Sequence, residues 1–148
     1  FGEAEIAKEE AADVTSAGKR NAATARALIP TAENKKKIWD TLLNDEELSN
    51  EIIGAMVGGF FDLDKRDLSA DYIKPYFEML PKLWESRTNE IAQTLTNGLF
   101  PAIHIAQTTV DAANEFLKKD EVPYGCKRLV GEGRDGLVRS IAAQAADK

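Results

Sequence analysis

One cysteine, Cys126, and one histidine, His104, are all that 148 residues offer of the two side chains most used for disulfides, soft metals and imidazole catalysis. A lone cysteine cannot close an intrachain disulfide, and no basic segment followed by an apolar run opens the chain, so a secreted disulfide scaffold is excluded and a reducing, cytoplasmic setting is expected. Basic residues are in deficit: 19 Lys and Arg stand against 25 Asp and Glu, for a net charge of -6 and a pI near 4.9. Binding to nucleic acid or to an anionic membrane surface needs an electropositive face, so both partner classes are excluded. Long apolar runs are missing too. The stretch from Ile91 to Val110 lacks Lys, Arg, Asp and Glu, but Gln93, Asn97, Gly98, Pro101, His104 and Gln107 interrupt it, which suits a buried helix pair with a turn and not a membrane span.

Strand signals are equally scarce, for no run of β-branched and aromatic residues alternates with polar ones. What is present is helical spacing from end to end, with 43% apolar residues to fill a core. The reading is a single all-α domain over residues 1–148 with about eight helices. Phe1 to Ala12 reads as charged, alanine-rich helix, so the chain is expected to be an excised piece of a longer one. Val14 to Ile29 carries Ala22, Ala25, Leu28 and Ile29 on one face and must stop at Pro30, because proline disfavours the α region in the residue before it. Thr31 then suits an N-cap for a helix with Ile38, Trp39, Leu42 and Leu43 as its stripe. After a turn at Asp45 to Glu47, Ile52, Ile53, Met56, Val57 and Phe60 define the next helix, and Asp62 to Asp67 reads as a charged loop.

Ile73, Phe77, Leu80 and Trp84 keep helical spacing through Pro75 and Pro81. The two prolines predict two short consecutive helices, each opened by one of them. Ser86 is the expected cap of a helix from Arg87 to Asn97 that buries Ile91 and Leu95, with Gly98 at its C-terminal end. Ala106, Val110, Ala113 and Leu117 mark another, closed by Lys118 and Lys119. Pro123 opens the last, which is expected to bury Leu129, Val130, Leu137, Val138 and Ile141, with Gly131, Gly133 and Gly136 marking close packing or a bend. Short connections imply antiparallel neighbours, either in a closed bundle or in a stack of helical hairpins. Lys37-Ile38-Trp39 and Lys82-Leu83-Trp84 recur 45 residues apart, within the period of HEAT and armadillo repeats, though Lys-apolar-Trp also recurs by chance on amphipathic helices.

Chemistry-bearing constellations are few. His104, between Ile103 and Ile105, has no second imidazole and reads as a packed side chain. Cys126 follows Gly125 near a helix start but reads as an inert buried thiol. Asp62, Asp64 and Asp67 imitate the opening of a calcium loop, yet Arg66 takes a ligand position and Asp67 the place of the required glycine, which leaves a solvated acidic turn. Gly54, Gly58 and Gly59 follow no strand and precede no Gly-Lys-Ser/Thr, so they are expected to permit close helix contact and not to cradle phosphate. Trp39, Trp84, Tyr76 and Phe77 are core positions before they are a ligand groove. Lys35 to Lys37 reads as a solvated face paired with acids such as Asp40. No catalytic, cofactor-binding or metal residue is assigned within this stretch.

The order of several segments resembles the C-terminal helical domain of the aminopeptidase N family of zinc peptidases. These are Asp13-Val14-Thr15-Ser16-Ala17-Gly18, Ala22 to Ala27 leading into Ile29-Pro30-Thr31-Ala32, Lys36 or Lys37 with Trp39, and Leu48-Ser49-Asn50. Gly59-Phe60, Tyr76-Phe77 with Leu80 and Trp84, and Leu99-Phe100-Pro101 follow. Arg128-Leu129-Val130, Glu132, Arg134-Asp135-Gly136 and Arg139 close the series in the manner of the bacterial members. The resemblance implies an α-solenoid of antiparallel HEAT-like hairpins curved over a separate catalytic domain of the same chain, walling off a zinc cleft that admits peptide substrates. The family's zinc motif, His-Glu-x-x-His, is absent. Gly54-Ala55-Met56 imitates the start of the Gly-x-Met-Glu-Asn segment that holds a substrate's amino terminus, but Val57 and Gly58 replace its Glu and Asn. The expected role is therefore non-catalytic, with zinc held by the parent enzyme elsewhere. Two readings of other classes compete: a stand-alone HEAT-like adaptor with a concave groove for a protein or peptide, and a helical domain whose only role is assembly. The residues encoded before Phe1 separate the peptidase reading from the adaptor, and the oligomeric state in solution tests the assembly reading.

Overall fold

A computed structural model describes residues 2–147. Among them lie eight α-helices, two short 3₁₀ turns and no strand, as the spacing predicts. They form two compact units that divide between Ser69 and Ala70.

The first unit holds α1 (Glu3–Ala12), α2 (Ser16–Leu28), α3 (Ala32–Asn44), α4 (Asn50–Phe60) and a 3₁₀ turn at Arg66–Leu68. Three starts are capped by hydroxyls. Thr15, Thr31 and Ser49 accept from the backbone N–H of Gly18, Asn34 and Ile52 at 3.1, 3.1 and 3.2 Å, each satisfying one orphan donor at a gain of about 1 kcal/mol. Because Thr15 caps α2, Val14 stays outside it and is 77% exposed, whereas Pro30 ends the helix where expected. Arg26 of α2 binds Glu3 and Glu10 of α1 at 2.9 and 2.6 Å.

The most extensive packing in this unit joins α2 to α4, which are not consecutive. Arg20 meets Glu51, Thr24 donates to the carbonyl of Ala55, and Ala27 lies against Gly59. Partners rise together along both helices, so α2 and α4 run in the same direction, with α3 returning the chain between them. Gly59 sets the closeness: a Cβ there would stand 2.5 Å from the Thr24 carbonyl oxygen and 2.8 Å from the Ala27 Cβ. Gly54 and Gly58 face open space, so of the three glycines only Gly59 serves a close contact. Ile38, Leu42, Ile53, Met56 and the tilted Trp39–Phe60 pair, 5.7 Å between centroids, fill the core.

The second unit holds a 3₁₀ turn at Ala70–Tyr72, α5 (Ile73–Ser86), α6 (Asn89–Leu99), α7 (Gln107–Leu117) and α8 (Tyr124–Ala146). Pro75 sits in the first turn of α5 as expected, but Pro81 does not open a second helix. It lies inside a continuous one. The missing N–H costs a single hydrogen bond, to the Phe77 carbonyl, and burial of Phe77, Leu80 and Leu83 on one face holds the helix through it. Ser86 is not the cap of α6, because it is the last residue of α5 and its hydroxyl donates to the Lys82 carbonyl at 2.8 Å. Thr88 caps α6 instead. Gly98 lies within α6, and no glycine among the described residues adopts positive φ, so the helix ends without a glycine cap, at Phe100 with φ -56° and ψ 130°. Ile91 is half-buried while Ala92, Leu95, Thr96 and Leu99 are buried.

An aromatic cluster centres this core. Tyr76 meets Phe77 and Phe100 edge-on at 5.0 and 5.7 Å, and Phe77 reaches Phe116 at 5.9 Å. In α8, Gly133 accommodates the Phe100 ring, whose nearest atoms would stand 2.7 Å from a Cβ, while Gly131 meets nothing. Leu129, Val130 and Leu137 are buried, but Val138 is 49% exposed and Ile141 half-buried, because the face of α8 that they extend is only partly covered. Leu117 is likewise half-buried, with Phe116 taking the core position of α7.

Candidate functional site

Each chemistry-bearing residue singled out from the sequence has a definite place within its own unit. Among the described residues no group of three His, Cys, Asp or Glu is arranged to hold a metal ion. His104 is half-buried in the turn after Pro101, its backbone N–H donating to the Pro101 carbonyl at 3.2 Å. Cys126 is buried, and burial pushes its thiol up to about 12 from an ordinary 9.0, so at neutral pH it is a protonated, inert group as expected. Asp62 accepts from the backbone N–H of Asp64 at 2.9 Å, a turn-forming bond.

The aromatic residues are core. Trp39, Tyr76 and Phe77 are buried and Trp84 partly so. Tyr76 donates its hydroxyl proton to the Thr96 carbonyl at 2.6 Å, Trp84 Nε1 donates to Thr96 Oγ1 at 2.8 Å, and Thr96 Oγ1 donates to the Ala92 carbonyl at 2.6 Å. Burial, and after it the neighbouring Cys126, holds the Tyr76 phenol well above its usual range, and its proton is committed to the Thr96 carbonyl. The two Lys-apolar-Trp segments thus serve different contacts, Trp39 on Phe60 and Trp84 on Thr96 and Gly125.

The structure also corrects the reading of the lysine run. Lys36 pairs with Asp40 at 2.6 Å and Lys37 is exposed, but Lys35 is fully buried. Its Nζ donates to the carbonyls of Ala27 and Gly59 at 2.6 and 3.0 Å. Burial lowers its pKa below the ordinary 10.5, with Asp62 opposing the shift. Helical periodicity does place position 35 three residues before Ile38 on the stripe, a signal that its charge obscured.

Concavities line both units among the described residues. In the first, Glu9, Glu10 and Asp13 border a hollow of about 200 Å³ floored by Ile6. In the second, Asn114 and Arg134 border an open polar hollow between α7 and α8, and α5 and α7 enclose an apolar groove of about 400 Å³ over Phe77 and Phe116. None gathers a nucleophile with a base or an oxyanion donor set.

Relatives are found through the sequence. The family model described as the ERAP1-like C-terminal domain matches residues 1–139. The chain belongs to this family. The ERAP1-like chain is also 42% identical, over 147 residues, to a protein of Streptomyces lividans named Aminopeptidase N. That match covers 99% of this chain and 17% of the relative, so the chain spans about a sixth of the relative's length. No helix among the described residues is long and apolar enough to cross a membrane.

Proposed function

We propose that the chain acts as the non-catalytic C-terminal helical domain of an aminopeptidase N-like zinc metallopeptidase, enclosing the catalytic cleft and limiting which peptides reach it. The observation that carries this reading is the 42% identity to Aminopeptidase N across 99% of the chain. Peptide bond hydrolysis then belongs to a catalytic domain of the same parent chain, the domain's principal partner, and peptides are its substrates. A single cysteine suits a cytoplasmic parent.

Zinc is the cofactor of that parent and not of this stretch. The donors here do not fit it: one histidine is present, and no three candidate ligands converge among the described residues. No step of the hydrolysis is assigned to these side chains. Their contribution is shape. Packed helices with filled cores resist deformation, and a wall that excludes water strengthens the electrostatic contacts inside the space it closes.

The test uses the full-length parent enzyme with and without this domain, assayed on a short aminoacyl chromogenic substrate and on long peptides. Removal is expected to raise the rate on long peptides relative to the short substrate. An unchanged ratio in a folded, zinc-loaded truncated enzyme contradicts access control.

A further inference from the structure

The parallel α2–α4 pair creates a local electrostatic problem. Two helices lying side by side in the same direction bring their C-terminal carbonyls together, each end carrying partial negative charge and acceptors without intrahelical donors. Gly59 sharpens this by letting the ends approach closely. Into that junction the first turn of α3 inserts Lys35, whose Nζ bonds Ala27 of one helix and Gly59 of the other and lies 5.8 Å from the Phe60 ring. Beside it, the amide of Asn34 donates to the carbonyls of Arg26 and Ile29 at 2.7 and 3.1 Å.

We propose that Lys35 is a clasp across the two parallel helix ends, and that the first unit opens at this end only when the clasp releases. The inference does not rest on the proposed role in a peptidase. It follows from one donor serving two helices. Lysine suits the task because its long apolar stem crosses the core while a single terminal atom offers up to three N–H groups.

Lys36 and Lys37 are built-in controls, since both are exposed. On the folded 148-residue chain, limiting N-hydroxysuccinimidyl acetate should acetylate Lys36 and Lys37 at least about tenfold faster than Lys35, and denaturant should erase the difference. Lys35→Met keeps the stem and deletes the donors. Amide exchange in the last turns of α2 and α4 should then quicken about tenfold or more, with their first turns unchanged. Equal acetylation of the three lysines, or wild-type exchange in K35M, overturns the clasp. If K35M does not fold, the acetylation contrast on the wild-type chain decides alone.

Discussion

Cys126 shows how burial settles the character of a single residue. The sequence places it after Gly125 near a helix start, where a thiol can be acidified. The structure seals it inside the second unit, and its pKa rises to about 12 instead. The folded state therefore binds the thiol proton more tightly than the unfolded chain. Its stabilising effect is complete below the ordinary value of 9.0 and is lost as pH rises toward 12. Denaturant titrations across that window should show wild type losing stability faster with pH than Cys126→Ala; parallel slopes would mean that the thiol is not the titrating group. Lys35 is the reverse lesson. Charge alone assigned it to solvent with Lys36 and Lys37, yet it is the one member of the run whose helical position faces the core.

At the scale of elements, most helix boundaries are local chemistry. Thr31 and Pro30 mark theirs because a cap and a φ restriction act within one turn. Pro81 and Ser86 mislead for the complementary reason: a helix can lose one hydrogen bond when its face is buried, and a serine can bond back to the preceding turn instead of capping the next helix. Glycines carry the same ambiguity, which space resolves. Gly59→Ala should destabilise the chain by about 1–3 kcal/mol, since its Cβ meets α2 backbone, whereas Gly58→Ala, facing open space in the same helix, should stabilise it by about 0.5–1 kcal/mol. Gly133→Ala and Gly131→Ala should repeat the contrast in α8. Thermal melts of the four variants check the set, and equal shifts within either pair contradict the packing assigned to it.

At the scale of the whole molecule, chemistry is conspicuous for its dispersal. Among the described residues no three His, Cys, Asp or Glu form a metal-holding group, and the closed Tyr76–Thr96–Trp84 network is spent on holding helices together. The 148-residue chain alone should therefore release no product from an aminoacyl chromogenic substrate with zinc supplied. Turnover that copurifies with the chain and disappears on chelation would place catalytic groups within it. Composition and helical periodicity by themselves determined that the chain is all-α, acidic and without a self-sufficient metal motif, because residue counts and spacing along one helix are properties of the chain before it folds. Only the tertiary structure decided that α2 pairs with α4 in parallel, that Gly59 and Gly133 meet a neighbour where Gly58 and Gly131 meet nothing, and that Lys35 lies inside. Those outcomes depend on which helix faces meet and how closely, and that is set by packing between segments far apart in sequence.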